Sequence, residues 1–138
     1  MPRNSAQDAR SGDERSTPLR VATEDLASAL VLRVAGEIDM NTAPAFGEHM
    51  AAAFAAASAA QDRSRPAVVV DFSEVDFLAS VGLSVLVAHH QLGEANGTPM
   101  LLVVSSRAVL RSIASAQLDQ LFTLHPTVEE ALGAASAH

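Results

Sequence analysis

Polar and apolar positions alternate with two different periods along this chain, and the switches between them mark its elements. Residues 1 to about 17 are Ser, Asp, Arg, Glu and Gln with almost nothing apolar. Such a segment cannot bury enough surface to offset its ordering entropy, so it reads as a disordered tail. Order begins near Leu19. The run Leu19 to Thr23 predicts a short strand, and Ala29 to Gly36, alternating around Arg33, predicts a second. The polar Glu24-Asp25 between them suggests an antiparallel hairpin. Gly36-Glu37-Ile38-Asp39 then ends the strand, with Gly36 as a turn glycine.

Thr42 is placed to cap a helix, and Pro44 is tolerated in its first turn. From Ala45 to about Ala60 the chain is rich in alanine, the strongest helix former. Phe46, Met50, Ala53, Phe54 and Ala57 share one face at helical spacing. Gln61 to Pro66 is a polar link. Ala67 to Phe72 is a continuous apolar run, the mark of a strand covered on both faces. A short polar turn separates it from Val75-Asp76-Phe77-Leu78. A helix then runs from the Ser80 region to about Glu94, and Asn96-Gly97 stops it. Met100 to Val104 is another buried strand. Ser105 or Ser106 caps a third helix, with Val109, Leu110 and Ile113 facing inward. Leu121 to Leu124 is a short last strand, and Thr127-Val128-Glu129-Glu130 is a capping-box pattern before Ala131 and Leu132.

The expected order is therefore ββαβαβαβα. It describes an α/β domain whose sheet is mixed: a leading hairpin makes one antiparallel pair, and helical crossovers make the rest parallel. The length, 138 residues, suits one domain over residues 18–138 after the tail.

Composition narrows the chemistry. Apolar residues make up 49% of the chain but aromatics only 4%, so the core must be mostly aliphatic. The formal net charge is -7, and no basic cluster occurs. A nucleic-acid partner and an anionic membrane both need a cationic face, so neither is expected. There is no cysteine, which removes disulfides, thiolate nucleophiles and Cys-ligated zinc. Every basic residue is Arg, which removes Schiff-base chemistry and the lysine of a P-loop. No apolar run reaches membrane-spanning length, and the start lacks a hydrophobic leader, so a cytoplasmic protein is expected. His89 and His90 are adjacent on a helix and point about 100° apart, so they cannot chelate one ion together. His49 and His125 have no spaced partner, and no metal or cofactor is expected. Ser80 lacks the glycine two residues earlier that a nucleophile elbow needs, and no nucleophile-base pair is visible. An enzyme is not expected.

Two segments resemble a known family. Gly36-Glu37-Ile38-Asp39 followed by Thr42-Ala43 is similar to the Gly-Glu-Leu-Asp turn of STAS domains. The stretch from Val70-Asp71-Phe72 through Val75-Asp76-Phe77-Leu78 to Ala79-Ser80-Val81-Gly82-Leu83 is similar to that family's strand and its Asp-Ser-x-Gly-Leu motif. The likeness runs over roughly residues 19 to 134. It departs at Ala79, where the family usually has Asp, and at Gln117-Leu118, where members often have Gly-Leu.

The resemblance implies an anti-sigma factor antagonist. Such proteins bind an anti-sigma factor, usually a serine kinase of the GHKL type, and so release a sigma factor. The kinase phosphorylates the motif serine, which blocks binding, and a phosphatase reverses it. By this resemblance Ser80 is the phosphorylation site, and Asp39, Thr42, Ala79, Ser80, Val81, Gly82 and Ser84 face the partner. Each has a plainer reading as well. Ser80 and Thr42 are candidate helix caps, Asp39 a turn residue, and Ser84 a small rim or packing residue. The alternative function is a stand-alone STAS module that binds a transport complex, a nucleotide or another small ligand.

Overall fold

The computed structural model describes residues 18–26, 28–59 and 67–137. The expected tail and the polar link at 61–66 lie outside the described residues. The elements are β1 (Arg20–Asp25), β2 (Leu30–Ile38), α1 (Ala43–Ala59), β3 (Val68–Leu78), α2 (Ser80–Asn96), β4 (Met100–Val103), α3 (Arg107–Ser115), β5 (Thr123–His125) and α4 (Val128–Ala137). The order is ββαβαβαβα, as the periodicities indicate.

The sheet runs β1-β2-β3-β4-β5. β1 pairs antiparallel with β2, and the other neighbours are parallel. The parallel strands step across the sheet in one direction. Right-handed crossovers therefore put α1, α2 and α3 on the same face. There Phe46, Met50, Leu83, Leu86, Val109 and Ile113 close over Leu32, Val34, Val70, Phe72 and Leu102. Phe46 and Phe72 meet as tilted rings 5.6 Å apart. Among the described residues, the opposite face carries α4 alone, whose Ala131 and Ala135 cover Val31, Val69, Leu101 and Val103. With both faces covered, the central strands read as unbroken apolar runs.

Several boundaries differ from the sequence reading, each for a local reason. Glu24 and Asp25 belong to β1, paired with Val31 and Leu30, so the hairpin link lies after them. Ser73-Glu74 is not a turn, because β3 is one strand of 11 residues. It carries extra residues instead. Arg33 to Ile38 on β2 takes five steps, whereas its partners Asp71 to Leu78 take seven, with register shifts at two places. Each extra residue is a β-bulge, which bends the strand and sends neighbouring side chains to the same side. Ser73 and Glu74 are thus both exposed, as are Asp76 and Phe77. Gly36 also stays within its strand. It adopts φ 103° beside the second irregularity, a backbone conformation that L side chains resist. Leu110 was expected to face inward but is 40% exposed, since only Val109 and Ile113 of α3 are buried.

The caps are mixed. Ser106 caps α3 by accepting from the Val109 N–H, and Thr127 accepts from the Glu130 N–H. α3 ends in a Schellman motif: Leu118 N–H donates to the Ile113 carbonyl and Gln117 N–H to that of Ala114. Gln117 fills the left-handed position at φ 61°.

A candidate partner-docking site at Ser80

Among the described residues, the last residues of β2 and β3 pair only with each other. The β1 ladder ends at Arg20↔Ala35 and the β4 ladder at Asp71↔Val103, while β2 and β3 continue to Ile38↔Leu78. Two connections leave from this end, one into α1 and one into α2. The Ala79 N–H donates to the Ile38 carbonyl at 2.9 Å, which ties them side by side. The structure thus brings together Asp39 and Thr42 from the first connection with Ala79 to Ser84 from the second.

The first connection is stabilised from within. Asp39 Oδ1 accepts from the Asn41 N–H (2.9 Å) and the Thr42 N–H (3.0 Å). The Thr42 hydroxyl accepts from the Asp39 N–H and donates to the Glu37 carbonyl, both at 2.9 Å. Thr42 was expected to cap α1, but its oxygen points back at the strand end, and Asp39 satisfies the turn amides. Asp39 and Thr42 are therefore structural residues of this turn, half-buried at the edge of the site.

The second connection holds the serine. Sequence reasoning made Ser80 a possible cap of α2. The structure gives the N-cap position to Ala79, with φ -80° and ψ 164°, which has no side chain able to cap. Ser80 is the first helical residue. It is exposed, and its hydroxyl makes no hydrogen bond to any described residue. The Ala79 carbonyl takes the N–H groups of Gly82 (2.9 Å) and Leu83 (3.2 Å). No acidic residue stands in the first turn. The first turn of α2 therefore carries no carboxylate and no side-chain cap, and the Ser80 hydroxyl there has no hydrogen-bond partner among the described residues.

Val81 is 37% exposed. Ser84 is exposed and donates its hydroxyl to the Ser80 carbonyl at 3.2 Å. Gly82, expected to face the partner, is buried. A Cβ there would lie 2.7 Å from both Ile38 Cγ2 and Leu78 Cδ1. Its missing side chain lets α2 seat against the strand ends, which sets where Ser80 stands. Beyond Ser80, an apolar groove runs along α2, lined by Leu83, Val87, Ala88 and Leu118.

Sequence reasoning missed two neighbours. Met40 is 81% exposed and Phe77 48% exposed. An apolar residue in a strand pattern reads as core, and only the bulge turns Phe77 outward. Also missed was an ion cluster on the open part of the second sheet face. Arg33 lies 2.9 Å from Glu24 and 3.2 Å from the buried Asp71. The hydrogen bond that Arg33 donates to Glu24, foremost, raises the Arg33 pKa, so the guanidinium stays charged. Among the described residues, no group of three or more His, Asp or Glu is placed to hold a metal ion, and no helix is long and apolar enough to cross a membrane.

Comparison with known proteins agrees with this geometry. The family model for the STAS domain matches residues 20–131. The anti-sigma-F factor antagonist RsfB of Mycobacterium tuberculosis is 32% identical, over 83% of this chain and 87% of its own. The crystal structure of an anti-sigma factor antagonist from Mycobacterium paratuberculosis is 36% identical and superposes with a TM-score of 0.75, covering 86% of this chain and 95% of that one. The unphosphorylated form of the antagonist SpoIIAA, at 17% identity, shares the fold with a TM-score of 0.67 over 86% of this chain and 98% of its own. By the family match over residues 20–131 and the identity to RsfB, this protein belongs to the STAS domain family, among the anti-sigma factor antagonists.

Proposed function

We propose that this chain binds an anti-sigma factor through the end of the sheet that carries Ser80, and so frees a sigma factor. The observation that carries the reading is the Ser80 hydroxyl, exposed and unbonded at the first residue of α2. The partner is an anti-sigma factor of the GHKL serine-kinase type, and Ser80 is its phosphate acceptor. A phosphatase resets the switch. The chain itself acts by binding and is not an enzyme.

The chemistry suits an on-off device. A phosphate adds about -1.5 to -2 charges to Ser80. The start of α2 tolerates that charge, since its dipole end is positive and no carboxylate competes there. Phosphorylation therefore leaves the fold standing. Docking is another matter, because closing a protein surface over a dianion strips its water. A loss of about 3 kcal/mol weakens binding more than a hundredfold.

The test is mass spectrometry after incubation with the kinase-like anti-sigma factor encoded nearest this gene and ATP. One phosphate on Ser80, absent in Ser80→Ala, is the expected result. Stable binding with no phosphate transferred would leave a constitutive antagonist and remove the switch.

A further inference from the structure

The surroundings of Ser80 say more about what docks there. Among the described residues, the exposed large apolar side chains are Met40, Phe77, Val81, Leu92, Leu110 and Leu121. Single exposed apolar residues are ordinary on a protein surface. Their grouping is not. Phe77 lies three residues before Ser80 and Val81 one after. Met40 is two residues past Ile38, whose carbonyl binds the Ala79 N–H. Half of the exposed large apolar residues thus lie within three residues of Ser80 or on the connection tied to it through Ile38 and Ala79. Met40 is the most open of them at 81%, whereas Met50 and Met100 are buried.

The charged residues on these two segments are all acidic: Glu37 and Asp39 precede Met40, and Glu74 and Asp76 precede Phe77. Neither residues 34–48 nor residues 73–88 contain an arginine. Arg33, the nearest cation in sequence, is engaged by Glu24 and Asp71. An apolar patch in an acidic surround disfavours a second copy of a chain with net charge -7. It favours a cationic partner.

We propose that Met40, Phe77 and Val81 are the apolar anchors of this docking surface, and that they enter an apolar pocket rimmed by Arg or Lys on the anti-sigma factor. This rests on the function proposed above and names the chemistry of its contact. Phe77 brings a large rigid face and Met40 a flexible, polarisable one, the two kinds of side chain that adapt to a partner's pocket. The carboxylates around them steer a cationic partner and set the register of approach. Ser80 lies between Phe77 and Val81 along the chain, so a phosphate there stands beside groups that docking would dry.

The experiment measures binding of the full chain to the anti-sigma factor that binds the wild type, together with peroxide footprinting. Met40→Ala and Phe77→Ser are each expected to weaken binding at least tenfold. Both sites are exposed, so the fold is unaffected. Leu92→Ala, at a similarly exposed residue far along α2, leaves affinity unchanged. Peroxide converts the exposed Met40 thioether to its sulfoxide in the free chain, and complex formation slows that oxidation. Met50 and Met100 stay unoxidised in both. Affinity falls as salt rises, because screening weakens the charge contact. Full affinity in both variants, with Met40 oxidised equally fast in the complex, overturns the anchors and leaves the function standing. Self-association abolished by Met40→Ala also overturns the proposal. A wild type that binds no anti-sigma factor overturns the function, and this inference falls with it.

Discussion

Ala79→Asp restores the residue the family usually has at this position, and its effect can be worked from the helix start. Ala79 already has the extended backbone of an N-cap, so no rearrangement is needed. The Val81 N–H, the second of the helix, has no partner among the described residues. A carboxylate oxygen at 79 reaches it or the Gly82 N–H. Replacing Ala by a capping residue is worth about 1 kcal/mol, within a range of about 0.5–2. The absence of any acidic residue in the first turn adds a dipole contribution of about 0.3–1 kcal/mol at low salt. The unfolding midpoint of a chain this size then rises by about 4 °C per kcal/mol. Urea titration at low and high salt reads the gain directly, as a higher midpoint at unchanged slope. Ala79→Asn separates the two contributions, since it caps without charge and keeps most of the gain at high salt. A midpoint unmoved by both substitutions would refute the vacant cap and, with it, the reading of the family's Asp as a capping residue. Phosphorylation of Ser80 in Ala79→Asp is expected to lower the midpoint relative to phosphorylated wild type, because two anions then share one helix start.

Other substitutions probe other parts of the account. Gln117→Gly relieves the left-handed residue of the Schellman motif and raises stability by about 1 kcal/mol, read by thermal unfolding. Gly82→Ala gains helix propensity but drives a Cβ onto Ile38 and Leu78. The clash outweighs the propensity, for a net loss of about 1–2 kcal/mol by urea titration. Arg33→Ala leaves the buried Asp71 carboxylate without its cation and costs about 1–3 kcal/mol, whereas Glu24→Ala removes a half-exposed partner and costs under about 1.

The order of elements was legible because each one repeats its period long enough to be read. α1 shows its buried face at Phe46, Met50, Ala53, Phe54 and Ala57, all of which are buried. What was not legible came from backbone irregularity. Ser73-Glu74 looks like a turn because a bulge places two neighbours on the wet side, which breaks alternation without breaking the strand. The same device exposes Phe77, which alternation assigns to the core. Gly36 reads as a turn because a positive φ is usual there, yet here it serves an irregular ladder. The motif around Ser80 was recognised as a unit, but the roles inside it were not. A serine at a helix start suggests a cap, and only coordinates show that Ala79 holds that position and that Gly82 is packed inward. Asp39 and Thr42 were read for a partner, and their hydrogen bonds stay largely within their own turn.

The most direct measurement is a calorimetric titration of the anti-sigma factor proposed as partner with wild type and Ser80→Glu, after both chains are shown to unfold at the same temperature. The wild type is expected to bind, and the glutamate variant to lose more than a hundredfold in affinity. Equal affinities would contradict the claim that charge at the head of α2 governs docking.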